Sequence, residues 1–370
     1  MNNIQPARKK KPSQPQRTRA WGRVIILILC GVFIIGCAIG ASPLILGHFI
    51  IAVKNTYNFI TLIYPALCAL GGAVLFMLWR QNRGVRFLLR SSMAAFIIGL
   101  ALIALRVWAT HIEPRNLRVR HVEFHSPKVS QPLRILHISD IQSPAVGAYE
   151  EKAVRMMAQL QPDLVLHTGD LVQPSPPYSH ATEWPKIGAL LDEQLPGVPR
   201  YGVYGDTDGR ERRRKAEFGG MRWLANCGET ITIKGARIRL YGLTLVESAR
   251  THALPDNALN WLHSAPPDAL KIIFGHRPDY ILAAQEHPLD LCLAGHTHGG
   301  QICVPGFGPL VTLSAVPRDW ARGYHVAGRT RFNCSAGIGC EHNRGVPSIR
   351  LFCPPEMTLI TLLPEEKSPQ

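Results

Sequence analysis

The sequence predicts a layered α/β domain preceded by transmembrane helices. Three observations carry that reading. The N-terminal third holds three apolar segments of nearly membrane-spanning length. After residue 133, short apolar runs alternate with segments of helical periodicity. Several of those runs end in an aspartate or a histidine, most of them directly after a glycine.

The net charge of +15 is unevenly placed: residues 1–120 carry 16 of the 41 Lys and Arg but one of the 26 acids, Glu113, and the rest of the chain is neutral. Cations interleaved with apolar segments are topology signals rather than a groove for a nucleic-acid backbone, so no nucleic-acid partner is expected. The first segment, VIILILCGVFIIGCAIGAS, starts near Val24, and its continuation LILGHFIIAV is broken by Pro43. The second is FITLIYPALCALGGAVLFMLW, residues 59–79, and the third, LLRSSMAAFIIGLALIALRVWAT, ends near Thr110. Each approaches the ~20 apolar residues of a spanning helix. The first is longer than a cleaved signal peptide and two more follow it, which favours an anchor. Arg80, Arg83, Arg86 and Arg90 fill the second loop, whereas the first holds Lys54 alone. The N-terminus and the second loop are therefore expected in the cytoplasm, and everything after residue 110 outside; Arg115, Arg118 and Arg120 pull the other way. The expected organisation is a basic tail 1–22, a membrane region 23–110, a linker 111–132, a domain 133–363 and a tail 364–370. The nine cysteines include no CxxC pair, so a cysteine zinc site is not expected.

Within the linker, HVEFHS alternates like an edge strand. LRILHIS reads as a buried strand, AYEEKAVRMMAQL as a helix and DLVLHTGD as a second buried strand, a unit whose two strands should be parallel neighbours. WPKIGALLDEQL is a helix and YGVYGD a third strand. ETITIKGARIRLYGLT alternates on both sides of Lys234–Gly235, the mark of a hairpin. DNALNWLHSA is a helix with Asp256 as its N-cap, and LKIIFGH, DLCLAGH, QICV, TRFNCS and MTLITLL follow as strands.

Ligands of layered α/β folds sit at the carboxyl ends of strands. Asp140, Asp170, Asp206, His276 and His296 all fall there. Taken singly, each has an ordinary reading as a turn or cap residue. As a set, carboxylates gathered at one sheet edge repel and desolvate one another. No Lys or Arg adjoins them in the chain, so a bound metal pair is the compensating charge to expect. Mixed oxygen and imidazole ligands suit Mn²⁺, Fe, Zn²⁺ or Mg²⁺.

The ordered set DIQ (140–142), GD (169–170), GDTD (205–208), GH (275–276) and GHTHGGQI (295–302) resembles the calcineurin-like metallophosphoesterase superfamily, most closely its membrane-anchored or exported bacterial branch with GHTHGGQ as last motif. The resemblance runs from residue 133 to about 363. It implies a four-layer α/β/β/α sandwich, a dinuclear metal site and hydrolysis of phosphomonoesters, phosphodiesters or pyrophosphates by a metal-bridging hydroxide. Position by position it implies Asp140, Gln142 and His298 at the first metal, with Asp170 bridging. Asp206, His276 and His296 fall at the second, and Asp170, Asp206, Thr207 and Asp208 in the catalytic set. It also implies a bacterial membrane protein, while the three apolar segments and the loop charges are what make it multi-pass in the inner membrane with the catalytic domain expected outside.

Two positions depart from the family. Gln142 stands where the family has histidine, which tilts the first site toward Mn²⁺ or Mg²⁺. Thr207 stands where the family has the histidine that helps protonate the leaving group. That loss favours a good leaving group such as a pyrophosphate, unless Arg210 or a neighbour replaces the charge. The run Arg210, Arg212, Arg213, Arg214 and Lys215 reads as a solvated loop, an anion-binding lid or a headgroup contact. His180, His252, His263, His287 and His342 match no motif position and are read as ordinary surface or structural residues. The expected substrate is a phosphorylated small molecule or lipid close to the membrane, with a lipid-linked nucleotide pyrophosphatase as one candidate. The alternative is a degenerate, non-catalytic sensor or scaffold that binds metal or phosphate.

Overall fold

A computed structural model of the chain describes residues 13–46, 49–208, 217–218, 220–342 and 348–365. The basic run from Arg210 to Lys215 lies outside the described residues. The chain divides into two compact units that meet in sequence at Ala109 and Thr110.

The first unit contains helices α1 Gln14–Ala41, α2 Phe49–Asn58, α3 Tyr64–Gln81 and α4 Arg86–Val107. Three stretches are long and apolar enough to cross a membrane: Gln14–Ile45, Ile51–Gln81 and Arg86–Arg115. The first stretch runs through the 3₁₀ turn Ser42–Leu46, which contains Pro43, to Ile45, and the later part of LILGHFIIAV, from Ile51, belongs to the second. Small residues let α3 and α4 approach: Ser92 Oγ donates to the Gly72 carbonyl at 2.8 Å. Arg106, inside the third of these stretches, donates to Asn58 Oδ1 at 3.2 Å and Thr61 Oγ1 at 2.9 Å, which satisfies a charge placed among apolar residues.

The second unit holds the strands. They are β1 Arg118–Ser126, β2 Leu133–Ile138, β3 Leu164–His167, β4 Arg200–Gly202, β5 Glu217–Phe218, β6 Met221–Trp223, β7 Cys227–Ile233, β8 Ala236–Gly242, β9 Leu270–Phe274, β10 Leu291–Ala294, β11 Cys303–Val304, β12 Gly308–Pro309, β13 Gly323–Ala327, β14 Thr330–Cys334 and β15 Glu356–Pro364. The helices are α5 Ala148–Gln159, α6 His180–Gln194, α7 Leu245–Ser248, α8 Asp256–His263 and α9 Ile281–Ala284. One sheet runs β1-β15-β2-β3-β4-β6-β5, a second β13-β14-β10-β9-β8-β7, and β11 pairs with β12 in a small hairpin.

Side-chain alternation builds the layers. Leu133 and Ile135 of β2 join Leu270, Ile272 and Phe274 of β9 in an apolar layer between the two sheets. Leu136 and Ile138 turn the other way, onto Val154 and Met157 of α5 and Trp184 and Ile187 of α6. Ile273 turns outward onto Trp261 and Leu262 of α8 and Ile281 of α9. The result is a helix–sheet–sheet–helix stack of four layers. As expected, β2 and β3 are parallel neighbours. HVEFHS lies in β1, which sits at the sheet edge beside β15, so half of the linker is part of the fold. The helix at 256 is capped by Pro255, and Asp256 is its first residue rather than its cap. The sequence reading did not anticipate β5, β6, β12 or β13.

Candidate metal centre

Asp140 follows β2, Asp170 follows β3 and Asp206 follows β4, and these strands are parallel neighbours in the first sheet. His276 follows β9 and His296 follows β10, parallel neighbours in the second. Packing the sheets face to face brings both sets of strand ends together. The glycines before these residues make that approach feasible. A Cβ on Gly205 would overlap the Asp170 carboxylate, and one on Gly295 would overlap Ser139 Oγ and Asp140 Oδ2. The corners are also strained: Asp140, Gln142, Asp170, His296 and His298 have φ of 49°, 42°, 61°, 68° and 49°. Non-glycine residues in that region cost energy and cluster where function requires them.

Two overlapping triads result, Asp206–His276–His296 and Asp140–Asp170–His276, with ligand atoms within 4.8 Å of one another in each. His276 is their common member. Its Nδ1–H donates to the Thr168 carbonyl at 2.8 Å, which leaves the Nε2 lone pair facing inward. That Nε2 lies 3.5 Å from Asp170 Oδ2, 3.3 Å from Asp206 Oδ1 and 3.2 Å from His296 Nδ1. His298 Nε2 lies 3.5 Å from Asp140 Oδ1. Gln142 Nε2 donates to Asp170 Oδ2 at 3.0 Å and to Glu341 Oε2 at 3.4 Å. Both amide hydrogens are thereby taken by acids, and Gln142 Oε1 is left buried without a partner. So is Nδ1 of His298.

These atoms fit a divalent cation. Unpaired buried acceptors are costly, and a cation would satisfy them. Without one, protons must take its place. Burial would lower the His276 pKa, but Asp170, Asp206 and Asp140 outweigh it and hold it at about 10. Burial, offset in part by His276, pushes Asp140 up to about 6. Burial raises Asp170 well above the usual carboxylate range, helped by Asp206, Asp208 and Asp140. Burial and the charge of His276 lower His296 to about 4. The pocket is built for more positive charge than its own side chains carry.

Residues 133–300 match the family model described as calcineurin-like phosphoesterase. The chain carries a calcineurin-like phosphoesterase domain. Over 71 residues it is 38% identical to UDP-2,3-diacylglucosamine pyrophosphatase LpxG of Chlamydia trachomatis serovar D, covering 18% of this chain and 22% of that protein. The protein of the same name in Chlamydia muridarum is 32% identical over 71 residues, with the same coverage. The match thus spans about a fifth of the length of these curated relatives.

Every described residue of the predicted ligand set in the phosphoesterase domain lies at this centre, but the GDTD corner divides in role. Asp208 turns inward and accepts backbone N–H groups from Gly205 at 2.7 Å, Asp170 at 2.9 Å and Leu171 at 2.8 Å. Both of its oxygens are taken, so it braces the corner instead of facing a substrate. Thr207 N–H donates to Asp170 Oδ1 at 2.9 Å, while its hydroxyl is buried without a partner.

Sequence reasoning missed several residues. His180, read as an ordinary surface or structural residue, has a structural contact at this corner, with Nε2 2.8 Å from the Thr207 carbonyl. His342 bridges the Gln173 carbonyl at 2.7 Å and the Cys340 carbonyl at 2.9 Å at the rim of the same site. Glu341 accepts from Gln173 Nε2 at 2.8 Å as well as from Gln142. Behind Asp140 runs a buried, directional chain. Asn333 Nδ2 donates to His137 Nδ1 at 2.8 Å, His137 Nε2 to Thr168 Oγ1 at 3.0 Å, Thr168 to Ser139 Oγ at 2.7 Å, and Ser139 to Asp140 Oδ2 at 2.5 Å. Burial lowers the His137 pKa to about 3, which keeps that ring neutral as the chain requires. One sequence signal pointed there: His137 and His167 each stand three residues before a site aspartate, in LHISD and LHTGD.

Proposed function

We propose that the domain is a metal-dependent phosphoesterase acting on a phosphoric ester or anhydride carried by a membrane lipid. The observation that carries this is His276, whose fixed Nδ1–H leaves Nε2 among Asp170, Asp206 and His296. Asp140, Gln142, Asp170 and His298 would hold one divalent ion, Mn²⁺ being favoured by the amide oxygen, and Asp170, Asp206, His276 and His296 the other. Such ions neutralise phosphoryl oxygens and lower the pKa of water.

The chain's own groups do the rest. Asp208 holds the GDTD corner by its backbone amides. Gln142 is oriented by Asp170 and Glu341 so that its oxygen stays free. His180 donates Nε2–H to the Thr207 carbonyl and so braces the corner where the family's histidine is missing. The printed name of the relatives, a pyrophosphatase of a diacylated nucleotide sugar, supports an anhydride on a lipid, as do the three candidate spans. The cationic loop from Arg80 to Arg90 supports an external domain. The substitution at Thr207 supports the second reading, a phosphate-binding domain without turnover.

The test uses the full chain in detergent, stripped of metal and reloaded with Mn²⁺, on a chromogenic phosphodiester and a lipid-linked nucleotide diphosphate. Metal-dependent turnover that Asp170→Asn abolishes is the expected result. Metal binding by wild type with no turnover of either substrate would favour the non-catalytic reading.

A further inference from the structure

The segment after the GHTHGG motif leaves the site as a hairpin. Val304-Pro305-Gly306-Phe307 forms a turn, with Phe307 N–H donating to the Val304 carbonyl at 3.0 Å and Gly306 at φ 79°. Proline followed by a left-handed glycine is the type II turn signature. β11 and β12 flank the turn, and Leu310 N–H returns to the Ile302 carbonyl at 3.1 Å. The base of the hairpin rests on the metal loop: a Cβ on Gly300, two residues after His298, would overlap Pro309 and lie 2.9 Å from the Val311 carbonyl.

The outer surface of this hairpin is apolar. Val304, Phe307, Leu310, Val311 and Leu313 are between 39% and 62% exposed, and Phe352, next to the Leu351 that bridges Ile302, is 53% exposed. Residues 302–317 contain no charged side chain. Leu313 and Phe352 hold φ of 52° and 53°, a costly conformation for bulky residues, while their side chains face solvent. Two cations border the patch. The Arg318 guanidinium lies 4.2 Å above the Phe307 ring, and Arg277 Nη2 donates to the Leu313 carbonyl at 3.1 Å. Arg277 also pairs with the buried Asp279 at 2.9 Å, so of the two it is the exposed Arg318 that is open to a phosphate. An apolar patch bordered by a guanidinium suits a bilayer interface, with rings and aliphatic chains below the headgroups. The occupant is a bilayer because three spans tether this domain to one, so the patch meets lipid at high effective concentration.

We propose that the hairpin from Cys303 to Leu313 inserts into the interfacial layer of a bilayer containing anionic phospholipid. Because the hairpin and His298 share one loop, insertion holds the metal centre at headgroup depth, where a phosphorylated lipid reaches it without leaving the membrane. This deepens the lipid-phosphoesterase reading and rests on it for the identity of the substrate.

The test reconstitutes the full chain in vesicles of phosphatidylcholine with phosphatidylglycerol. Phe307→Trp is compared with wild type in vesicles whose acyl chains are brominated. The expected result is additional quenching in the variant, reduced when phosphatidylglycerol is omitted. Separately, the combined variant Phe307→Ser, Leu310→Ser, Leu313→Ser should lose at least about tenfold in turnover of a lipid-linked nucleotide diphosphate in vesicles. It should keep wild-type turnover of a water-soluble chromogenic phosphodiester, which also reports that it folds. An equal loss on both substrates would overturn the proposal, since the hairpin would then merely shape the site. An emission shifted to the blue yet unquenched by bromine would also overturn it, because protein would be the cover. Wild type inert on both substrates would sink the phosphoesterase reading alone, as the quenching still reports the hairpin.

Discussion

His276 Nε2 and His296 Nδ1 lie 3.2 Å apart, presented by two adjacent parallel strands. Because His276 spends its Nδ1–H on the Thr168 carbonyl, its Nε2 can approach His296 and two carboxylates only with a proton or a cation between them. The same arrangement explains why both residues follow glycine. The backbones at Gly275 and Gly295 must pass close to Leu243, Ser248, Ser139 and Asp140 to bring the rings together.

His180 touches the corner where Thr207 stands, at 2.8 Å from its carbonyl. As a brace for that corner, His180→Ala should lower kcat by a similar factor for an alkyl phosphodiester and for a nitrophenyl diester, whose leaving group needs no proton. A loss confined to the alkyl diester would show instead that His180 delivers the proton.

Ser139 delivers the last hydrogen bond of the buried chain that begins at Asn333, and so fixes which Asp140 oxygen stays open. Ser139→Ala should weaken Mn²⁺ binding to the stripped chain by about 10–100-fold, as loss of an outer partner does. Calorimetric titration in detergent reads this directly, without relying on turnover. An unchanged affinity would mean that the chain serves packing alone.

Glu356 is almost fully buried and accepts from Arg120 at 2.9 and 2.7 Å and from Arg322 at 3.0 Å. Burial would raise its pKa, but the two guanidinium groups outweigh it and hold the carboxyl below its ordinary value. A depressed folded pKa stabilises above the unfolded value, near ~4.3, and that stabilisation is lost as pH falls through the lower folded value. Glu356→Gln should therefore cost about 2 kcal/mol at pH 7. The gap to wild type should shrink as pH drops below about 4. Thermal unfolding in detergent at several pH values measures it, and a gap constant down to pH 3 would show that the ion pairs contribute nothing.

Much of this was legible from local pattern. Apolar runs of spanning length mark the three candidate membrane helices whatever surrounds them. The short apolar runs in LRILHIS, DLVLHTGD, LKIIFGH and DLCLAGH report strands buried on both faces, and the two faces are visible in Leu133 and Ile135 against Leu136 and Ile138. Boundaries were less legible. The first candidate stretch ends at Ile45 and the second begins at Ile51, and the sequence between them stays largely apolar, so hydropathy alone does not mark the division.

The sequence by itself determined the candidate spans, most of the strands and the residues at their ends, because each depends on neighbours a few positions away. The tertiary structure alone decided how those ends are used. Asp208 and Asp206 are two residues apart and chemically identical, yet one is spent on three backbone amides and the other faces His276. Glu341 reaches Gln142 across 199 positions, and Asn333 reaches His137 across 196. Only the stacking of one sheet on the other creates those contacts. No periodicity along the chain encodes them, because the register between two sheets is set by the packed apolar layer between them, in which residues distant in sequence meet.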